Sequence, residues 1–385
     1  MSNVLTNILP KILATGLMTL REQAVMTRLV NVDYGTEAAQ KGATIDVPLP
    51  VPGNPRDVTP SPTPSSATST TPSLVQIQLD QWKHDDLFLT DKEMLEIDRN
   101  QHFMPQQVGE VVKGLANAVN NHVYAKYIEI YGWVGKSDDS TAVDPFASTA
   151  ADAANARKVL NQQLAPMDQR RLVIDPNAEA LALVLPQLSD FDKVPDIGPR
   201  VEGMMGRKMG LDWFMDQLVP THTTGTASNI TIASTVSAST STIKLRVTGS
   251  GGTIKIGDVF TIAGDSQTYV SRTSATLAST TQTSITIRPQ LQITASAADV
   301  VTKKASHKVN LVFQRNAFAF ATRPLVSTVG SDLGSIIVSQ TDPQTGLSLR
   351  LEVSRQYKQV AWDFDVLWGS ACVRPELAAR VAGAI

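Results

Sequence analysis

The stretch Pro105–Tyr131, PQQVGEVVKGLANAVNNHVYAKYIEIY, carries the longest uninterrupted helical pattern in the chain. At about 100° per residue its apolar residues fall on one stripe, which consists of Val108, Val112, Leu115, Val119, Val123 and Ile130. Pro105 suits a first helical position, and Gly132 suits the position after a last turn. At about 1.5 Å per residue the helix would be roughly 40 Å long, which predicts a spine lying along another surface.

The other faces of this helix are polar or aromatic. The polar residues predicted to lie mostly off the stripe are Glu110, Lys113, Asn117, Asn120 and Asn121. Towards the end Tyr124, Tyr127 and Tyr131 spread around the far side, so we expect that end to contact more than one neighbour; Tyr127 and Tyr131 are candidate interface residues. An ordinary core helix of a large enzyme has the same pattern, and the helix alone leaves that alternative open.

Composition limits the possible classes of protein. The 385 residues suffice for two or three domains. A net charge of −2 argues against a dedicated nucleic-acid binder, which needs a basic field. The single cysteine, Cys372, permits neither an intrachain disulfide nor a thiolate metal cage. No run of about 18 uncharged apolar residues exists, and no basic segment precedes the apolar N-terminus, so we expect neither a membrane span nor a signal peptide.

The N-terminal region, residues 1–43, reads as a helical arm. Its apolar residues recur at helical spacing and are Leu5, Ile8, Leu9, Ile12, Leu13, Leu17 and Leu20. Because the arm has few charges, we expect it to lie on another surface, either of its own domain or of a neighbouring subunit. Leu9, Leu13 and Leu17 are therefore candidate interface residues.

Residues 44–82 read as a long projecting hairpin. Thr44–Leu49 suits a strand, and Leu74–Asp80 alternates with period two. The segment between them is crowded with prolines and cannot form a helix or a central strand. Its charged residues Arg56 and Asp57 are candidate interface residues. The side chains of Trp82, Leu87 and Phe88 are expected to be buried in a core. A short helix is expected next, at Asp91–Arg99.

The region after the spine, residues 144–220, alternates between helices and strands. Ser148–Leu164 is predicted to be a helix with Leu164 on its inner side, and Arg171–Ile174 a strand. Asp175-Pro176 is a good capping pair for a further helix. This alternation predicts an α/β unit with a mixed sheet.

Residues 221–305 change in composition. Serine and threonine dominate, and short β-rich runs are separated by glycines; the runs are Ile243–Val247, Val259–Ala263, Gln267–Val270, Ser284–Arg288 and Val300–Lys303. This pattern predicts an inserted all-β module, either a sandwich or a barrel. In residues 306–385 two long strands are predicted at Leu347–Val353 and Val360–Leu367, and a terminal helix at Pro375–Ala384.

Motifs that carry chemistry are missing from the sequence. The five histidines, His84, His102, His122, His222 and His307, show none of the local spacings of metal ligands. The glycine-rich stretch Thr248–Gly252 lacks the spacing of a phosphate-binding loop, and no GxSxG elbow occurs. We therefore predict no catalytic, cofactor-binding or metal-binding residues, no cofactor and no enzyme activity.

The segment His307–Leu325, HKVNLVFQRNAFAFATRPL, resembles a stretch that follows the inserted domain in P22-like coat proteins of tailed bacteriophages. The order of the parts is also similar, through Leu115–Val119, Gly210–Pro220, Lys255–Ile262 and Val373–Glu376. The resemblance implies an α+β, HK97-like capsid fold. Its parts would be an N-arm at 1–43, an E-loop at 44–82, a P-domain at 83–143 around the spine helix at 105–131, an A-domain at 144–220, an inserted β-barrel at 221–305, and the rest of both domains at 306–385.

The same resemblance implies a function and a set of partners. It implies a major capsid protein that forms hexamers and pentamers in the icosahedral shell of a tailed double-stranded DNA phage. A scaffolding protein, a portal protein and a decoration protein would be partners, and the inner face would contact packaged DNA without sequence preference. The chain would be found in the virion capsid, and in the host cytoplasm during assembly.

Three alternatives stay open at the level of the sequence. One is an adhesin or glycan-binding protein, which would need exposed aromatic residues on the β-module, where Phe260 and Tyr269 are the only aromatics. Another is an enzyme whose site is assembled from distant residues. The third is the shell protein of a non-viral nanocompartment.

Overall fold

A computed structural model describes most of the chain. The described residues are 9–33, 44–49, 55, 57–58, 60, 73–92, 103–189, 205–279, 281–325, 335–342 and 347–385. Predictions on Leu5 and Ile8, on Arg56 with most of the proline-rich tip, and on most of the helix after Thr90 lie outside these ranges, as does the side chain of Leu9. Among the described residues, no helix is long and apolar enough to cross a membrane.

Among the described residues the helices are fewer than the strands. They are α1 Leu9–Gln23, α2 Val25–Leu29, α3 Phe103–Tyr124, α4 Ala151–Gln162, α5 Pro176–Val184 and α6 Pro186–Ser189. At the start of α5 the Asp175 carboxylate accepts from the Asn177 N–H at 3.3 Å, and Pro176 occupies the first turn. This capping pair is as the sequence predicted.

Strands make up most of the regular secondary structure in the described residues. Before the barrel strands they are β1 Thr44–Leu49, β2 Ser73–Gln78, β3 Gln81–Thr90, β4 Gly132–Val134, β5 Arg170–Ile174, β6 Arg207–Lys208, β7 Leu211–Met215 and β8 Thr221–His222. In the module they are β9 Ile230–Ile232, β10 Thr242–Val247, β11 Gly252–Ile254, β12 Val259–Ile262, β13 Thr268–Ser271, β14 Ala275–Leu277, β15 Thr283–Arg288 and β16 Val300–Lys303. The last are β17 His307–Gln314, β18 Phe318–Thr322, β19 Ser335–Thr341, β20 Ser348–Gln356, β21 Gln359–Cys372 and β22 Ala378–Gly383.

The chain divides into two compact units, and the spine helix α3 belongs to the first up to Leu115 and to the second from Ala116. The first unit comprises Met1–Thr19, Val32–Leu115 and Phe320–Val373. It contains the antiparallel hairpin β1–β2 and a sheet in the order β18-β21-β20-β19, with β3 also paired to β21. The hairpin and the paired strands β20 and β21 are as predicted.

Helix α1 lies against this unit. A Cβ atom added at Gly16 would lie 3.3 Å from side-chain carbons of both Val112 on α3 and Leu349 on β20. Leu13 and Leu17 are buried within the chain itself. Of the two surfaces considered for the arm, its own domain therefore covers these residues.

The second unit comprises Leu20–Asn31, Ala116–Ala319 and Arg374–Ile385. Its main sheet has the order β4-β22-β17-β5-β7-β6, with β8 paired to β17. Its second part is a closed six-stranded barrel in the order β10-β15-β13-β12-β16-β9. The five β-rich runs of the module all fall in barrel strands, whose inward side chains alternate with exposed ones, as in β10. The predicted all-β module is thus a barrel.

The spine helix ends earlier than its sequence pattern indicated. After Tyr124 the chain tightens into a 3₁₀ segment, Ala125–Glu129, and then becomes strand β4. Gly132 does not end a helix but pairs in parallel with Ala379 on β22. A Cβ atom at Gly132 would lie 2.7 Å from the Ala379 Cβ, so glycine permits this close strand pairing.

The predicted terminal helix at Pro375–Ala384 was wrong. A single 3₁₀ turn, Pro375–Leu377, leads into β22, which is buried on both faces between β4 and β17. Such a strand reads as a continuous apolar run, which periodicity cannot distinguish from a short buried helix.

Two predictions about burial were also wrong. Leu164 is 88% exposed because α4 ends at Gln162 and buries Ala153, Ala156 and Leu160 instead. Trp82 and Phe88 do not enter a core but lie on the outer face of β3, each about half exposed. The strand β3 itself was not predicted.

Candidate functional site

A buried polar cluster joins the barrel to the main sheet within the second unit. We call it the joint; it consists of Tyr127, His222, Asp258, His307 and Arg380. Its members come from the 3₁₀ segment after the spine helix, from β8, from the turn before β12, from β17 and from β22. His222 and His307 face each other as cross-strand partners where the chain enters and leaves the barrel.

His222 links the spine to the barrel through both ring nitrogens. Its Nε2 lies 2.9 Å from Asp258 Oδ1, and its Nδ1 lies 3.0 Å from the Tyr127 hydroxyl. Since a carboxylate only accepts, Nε2 carries the hydrogen and Nδ1 accepts from the tyrosine. Asp258, fully buried, also accepts from the backbone N–H groups of Gly225 and Lys255. Burial lowers the pKa of His222, and the Asp258 hydrogen bond partly opposes this.

Arg380 is the buried cation of the joint. Its guanidinium donates to the carbonyl of Gly257 on the barrel side at 2.8 Å and to the carbonyl of Tyr127 at 2.9 Å. It also lies 5.0 Å from the centre of the Tyr127 ring. Burial lowers the pKa of Arg380 to about 10, so it remains charged at neutral pH. Gly257 has φ +90°, a conformation that favours glycine and aims its carbonyl at the cation.

His307 is the neutral member of the joint. Its Nδ1 donates to the Ala305 carbonyl at 2.8 Å, and its ring contacts Trp133 edge-on with centroids 4.6 Å apart. The His307 Nε2 is buried and has no hydrogen-bond partner among the described residues. Burial lowers the pKa of His307 to about 3, and the nearby Arg380 charge adds to the effect.

Further contacts around the joint fix the barrel to the spine. Tyr131 packs against Val259 and Val270, and its carbonyl accepts from the Thr268 hydroxyl at 2.7 Å. Glu129 pairs with both Arg272 and Arg288 on barrel strands. The barrel is therefore held by apolar packing, ion pairs and a buried polar cluster together.

The chain Tyr127–His222–Asp258 has the order of a nucleophile, a base and an orienting acid. Its chemistry is nevertheless that of a structural network, since burial raises the pKa of Tyr127 and so keeps its hydroxyl protonated. His222 and Asp258 are buried, so a substrate has no access to the base. The arrangement orients two elements and offers no activated nucleophile.

The candidate interface residues from the sequence lie in different places. Leu13 and Leu17 are buried in the arm, and Asp57, between β1 and β2 in the sequence, is exposed. Tyr127 and Tyr131 contact the barrel and sheet of their own chain, which accounts for the tyrosine-rich end of the spine. Leu9 and Arg56 have no described side chain.

Sequence reasoning missed His222, Asp258, His307 and Arg380. Together with Tyr127 they come from positions up to 253 residues apart, so no local spacing could reveal them. The one available signal was a lone arginine, Arg380, within the apolar run of residues 377–385.

A separate group in the first unit combines one histidine with two acidic residues. Possible ligand atoms of His84, Asp86 and Asp363 lie within 4.8 Å of one another on the outer face of β3 and β21. Burial raises the pKa of Asp363, and the neighbouring Asp86 carboxylate adds to this. The sequence did not predict this grouping, since Asp363 is distant along the chain.

Solved structures reveal what the chain is similar to. No protein-family profile and no curated protein matches it. A chain from the capsid structure of cyanophage P-SCSP1u aligns with 94% of this chain and 88% of its own length, with 13% identity and a TM-score of 0.51. A chain of Mycobacterium phage Che8 aligns over 93% and 90%, with 12% identity and a TM-score of 0.47. A chain from the capsid of the native GTA particle aligns over 94% and 91%, with 10% identity and a TM-score of 0.47.

The likeness to the cyanophage capsid chain concerns the fold. It covers 94% of this chain. The chain therefore has an HK97-like capsid fold, mixed α and β, with a six-stranded barrel.

Proposed function

We propose that this chain is a major capsid protein, which assembles into the icosahedral shell of a tailed double-stranded DNA bacteriophage. The observation that carries the proposal is the fold shared with the cyanophage capsid chain over 94% of the sequence. The collinear motifs that resemble P22-like coat proteins support a place in that family. We further propose a structural, non-enzymatic role, in keeping with the buried and unactivated Tyr127–His222–Asp258 chain.

The hairpin β1–β2 supports the assembly proposal. Isolated two-stranded hairpins are marginally stable in water. Leu74 on β2 is 60% exposed, and Val58 near the tip is 92% exposed. A neighbouring subunit would cover such surface, and association through many weak contacts becomes strong when a shell closes.

The remaining expectations on partners and sites form part of the proposal. Leu9, Arg56 and Asp57 are proposed to contact neighbouring subunits, whereas Leu13, Leu17, Tyr127 and Tyr131 are proposed to support those contacts from inside the chain. A scaffolding protein, a portal protein, a decoration protein and non-specific contact with packaged DNA are proposed partners. The domain boundaries at 43, 82, 143, 220 and 305 remain predictions.

The adhesin alternative loses its main requirement. It needed exposed aromatic residues on the β-module, yet Phe260 and Tyr269 are both fully buried in the barrel core. The described module therefore presents no aromatic platform for a glycan.

The proposal is tested by expressing the full chain, alone and with the product of a neighbouring scaffolding gene. Sedimentation and negative-stain electron microscopy should show closed particles of uniform size in at least one case. Particles that package DNA through a portal support the viral proposal, whereas particles that enclose a protein cargo support a nanocompartment. Monomers only, in every preparation, would refute both.

A further inference from the structure

The joint contains balanced buried charges and two histidines without charge. Arg380 supplies the positive charge and Asp258 the negative charge, and both are completely buried. His222 and His307 lie in the same cluster, with ring centroids 5.4 Å apart. Each proton added to the joint would therefore be an uncompensated positive charge in a low-dielectric interior.

The hydrogen bonds leave little room for such protons. The His222 Nδ1 accepts from the Tyr127 hydroxyl, so protonation would break this hydrogen bond unless the hydroxyl hydrogen turned away and the oxygen accepted instead. The His307 Nε2 is buried with no acceptor among the described residues, although it would need one as a donor. Protonated histidines are thus disfavoured by geometry as well as by charge.

The charged groups around the histidines reinforce this preference. The positive charge of Arg380 on β22 lowers the pKa of both histidines, and that of Lys255 lowers the pKa of His222. Asp258 is the anion that faces His222, and it already accepts three hydrogen bonds. Tyr127 contributes a neutral hydroxyl, and Trp133 covers the His307 ring.

We propose that the joint is an acid-sensitive latch, which fixes the barrel on the main sheet at neutral pH and releases it under mildly acidic conditions, before the rest of the chain unfolds. Opening the joint would hydrate both histidines and let them bind protons. The barrel keeps its own closed sheet and core, so it is able to move as a unit when the latch opens.

The direction of the pH effect follows from His307. Its pKa in the closed joint is about 3, below the ordinary value of 6.5, so the open joint binds the proton more strongly. The closed joint is fully favoured above pH 6.5 and loses stability as the pH falls from 6.5 towards 3. One pH unit in this window changes the equilibrium tenfold, so at pH 5 His307 alone favours opening by about 30-fold.

Hydrogen exchange of the full chain tests the latch. Opening constants are measured at pH 7.5 and pH 5 and corrected for the intrinsic exchange chemistry. We expect segments at the joint, Lys255–Asp258 and Ala125–Tyr131, to open about 30-fold more at pH 5 or beyond, with the barrel strands β10 and β15 much less affected. Equal loss of protection throughout the chain would overturn the proposal, since it would indicate general acid unfolding.

A matched pair of variants isolates the responsible group. His307→Asn keeps a donor for the Ala305 carbonyl and removes the titrating ring. The increase in the opening constant of its joint from pH 7.5 to pH 5 should therefore be at least tenfold smaller than in the wild type. His84→Asn, an exposed histidine in the other unit, should behave as the wild type. An unchanged pH response in His307→Asn would also overturn the proposal. If that variant does not fold, the contrast within the wild type between joint and barrel strands decides the question.

Discussion

Replacement of Asn120 by leucine should strongly destabilise the second unit. Asn120 is completely buried, although its neighbours on the polar side of the spine, Asn117 and Asn121, are exposed. Its Oδ1 accepts from the Met26 N–H at 2.9 Å, and its Nδ2 donates to Asp216 Oδ2 at 2.6 Å. One side chain thus connects α2, the spine helix and the turn after β7.

The magnitude follows from the groups left behind. Without Asn120 the buried Met26 N–H has lost its acceptor, at a cost of about 1–3 kcal/mol. The Asp216 carboxylate, which also accepts from Tyr124 and Leu218, loses one of its donors, at a cost of about 1.5–3 kcal/mol for a charged acceptor. Asn120→Leu should therefore lower the free energy of unfolding by roughly 2.5–6 kcal/mol, against a total of about 5–15 kcal/mol for a typical domain.

Urea unfolding of the full chain, followed by circular dichroism, measures this change. The control is Asn121→Leu, which makes the same replacement at an exposed position on the same helix and should change stability by less than about 0.5 kcal/mol. If both variants unfold at the same urea concentration, the Asn120 network does not stabilise the fold.

Three further predictions concern the spine and the joint. Val119→Asp places an unpaired charge in a completely buried position, which costs several kcal/mol and should abolish soluble expression. The control Asn117→Asp, on the exposed face of the same helix, should express normally. A wild-type yield of the Val119 variant would contradict the burial of the apolar stripe. Arg380→Met leaves the buried Gly257 carbonyl without its donor, whereas the Tyr127 carbonyl keeps the Ile130 N–H. The variant should lower stability by about 1–3 kcal/mol in thermal unfolding, and an unchanged midpoint would contradict the role of Arg380. Deletion of Thr221–Lys304 with a short linker removes the barrel side of the joint and should leave a soluble core that folds less well. Complete retention of assembly in sedimentation would mean that the barrel is not needed for assembly.

The apolar stripe of the spine was predictable because the buried residues of a helix recur in the sequence at helical spacing. Val108, Val112, Leu115, Val119 and Val123 are all buried. The same reasoning placed Asn120 on the polar side, because periodicity records polarity and not hydrogen-bond partners. An asparagine can be buried only when both ends of its amide are satisfied, and its partners Met26 and Asp216 are distant in sequence.

Chain ends and element ends were predicted less well. Whether a short apolar run becomes a helix or a strand depends on the strands available to pair with it. At β22, pairing with β4 and β17 makes the run a strand. The joint was not predictable either, because its five residues come from separate elements and each alone resembles an ordinary polar residue. The β-module, by contrast, was recognised from composition and alternation, since every strand of a small barrel repeats the same pattern.

The central claim is that this chain forms a closed shell, and electron cryomicroscopy of the full chain expressed with its neighbouring scaffolding gene tests it most directly. The account predicts closed icosahedral particles in which the chain forms pentamers and hexamers, with the spine helix and the barrel visible in each subunit. Monomers, or open aggregates without symmetry, in every such preparation would contradict it.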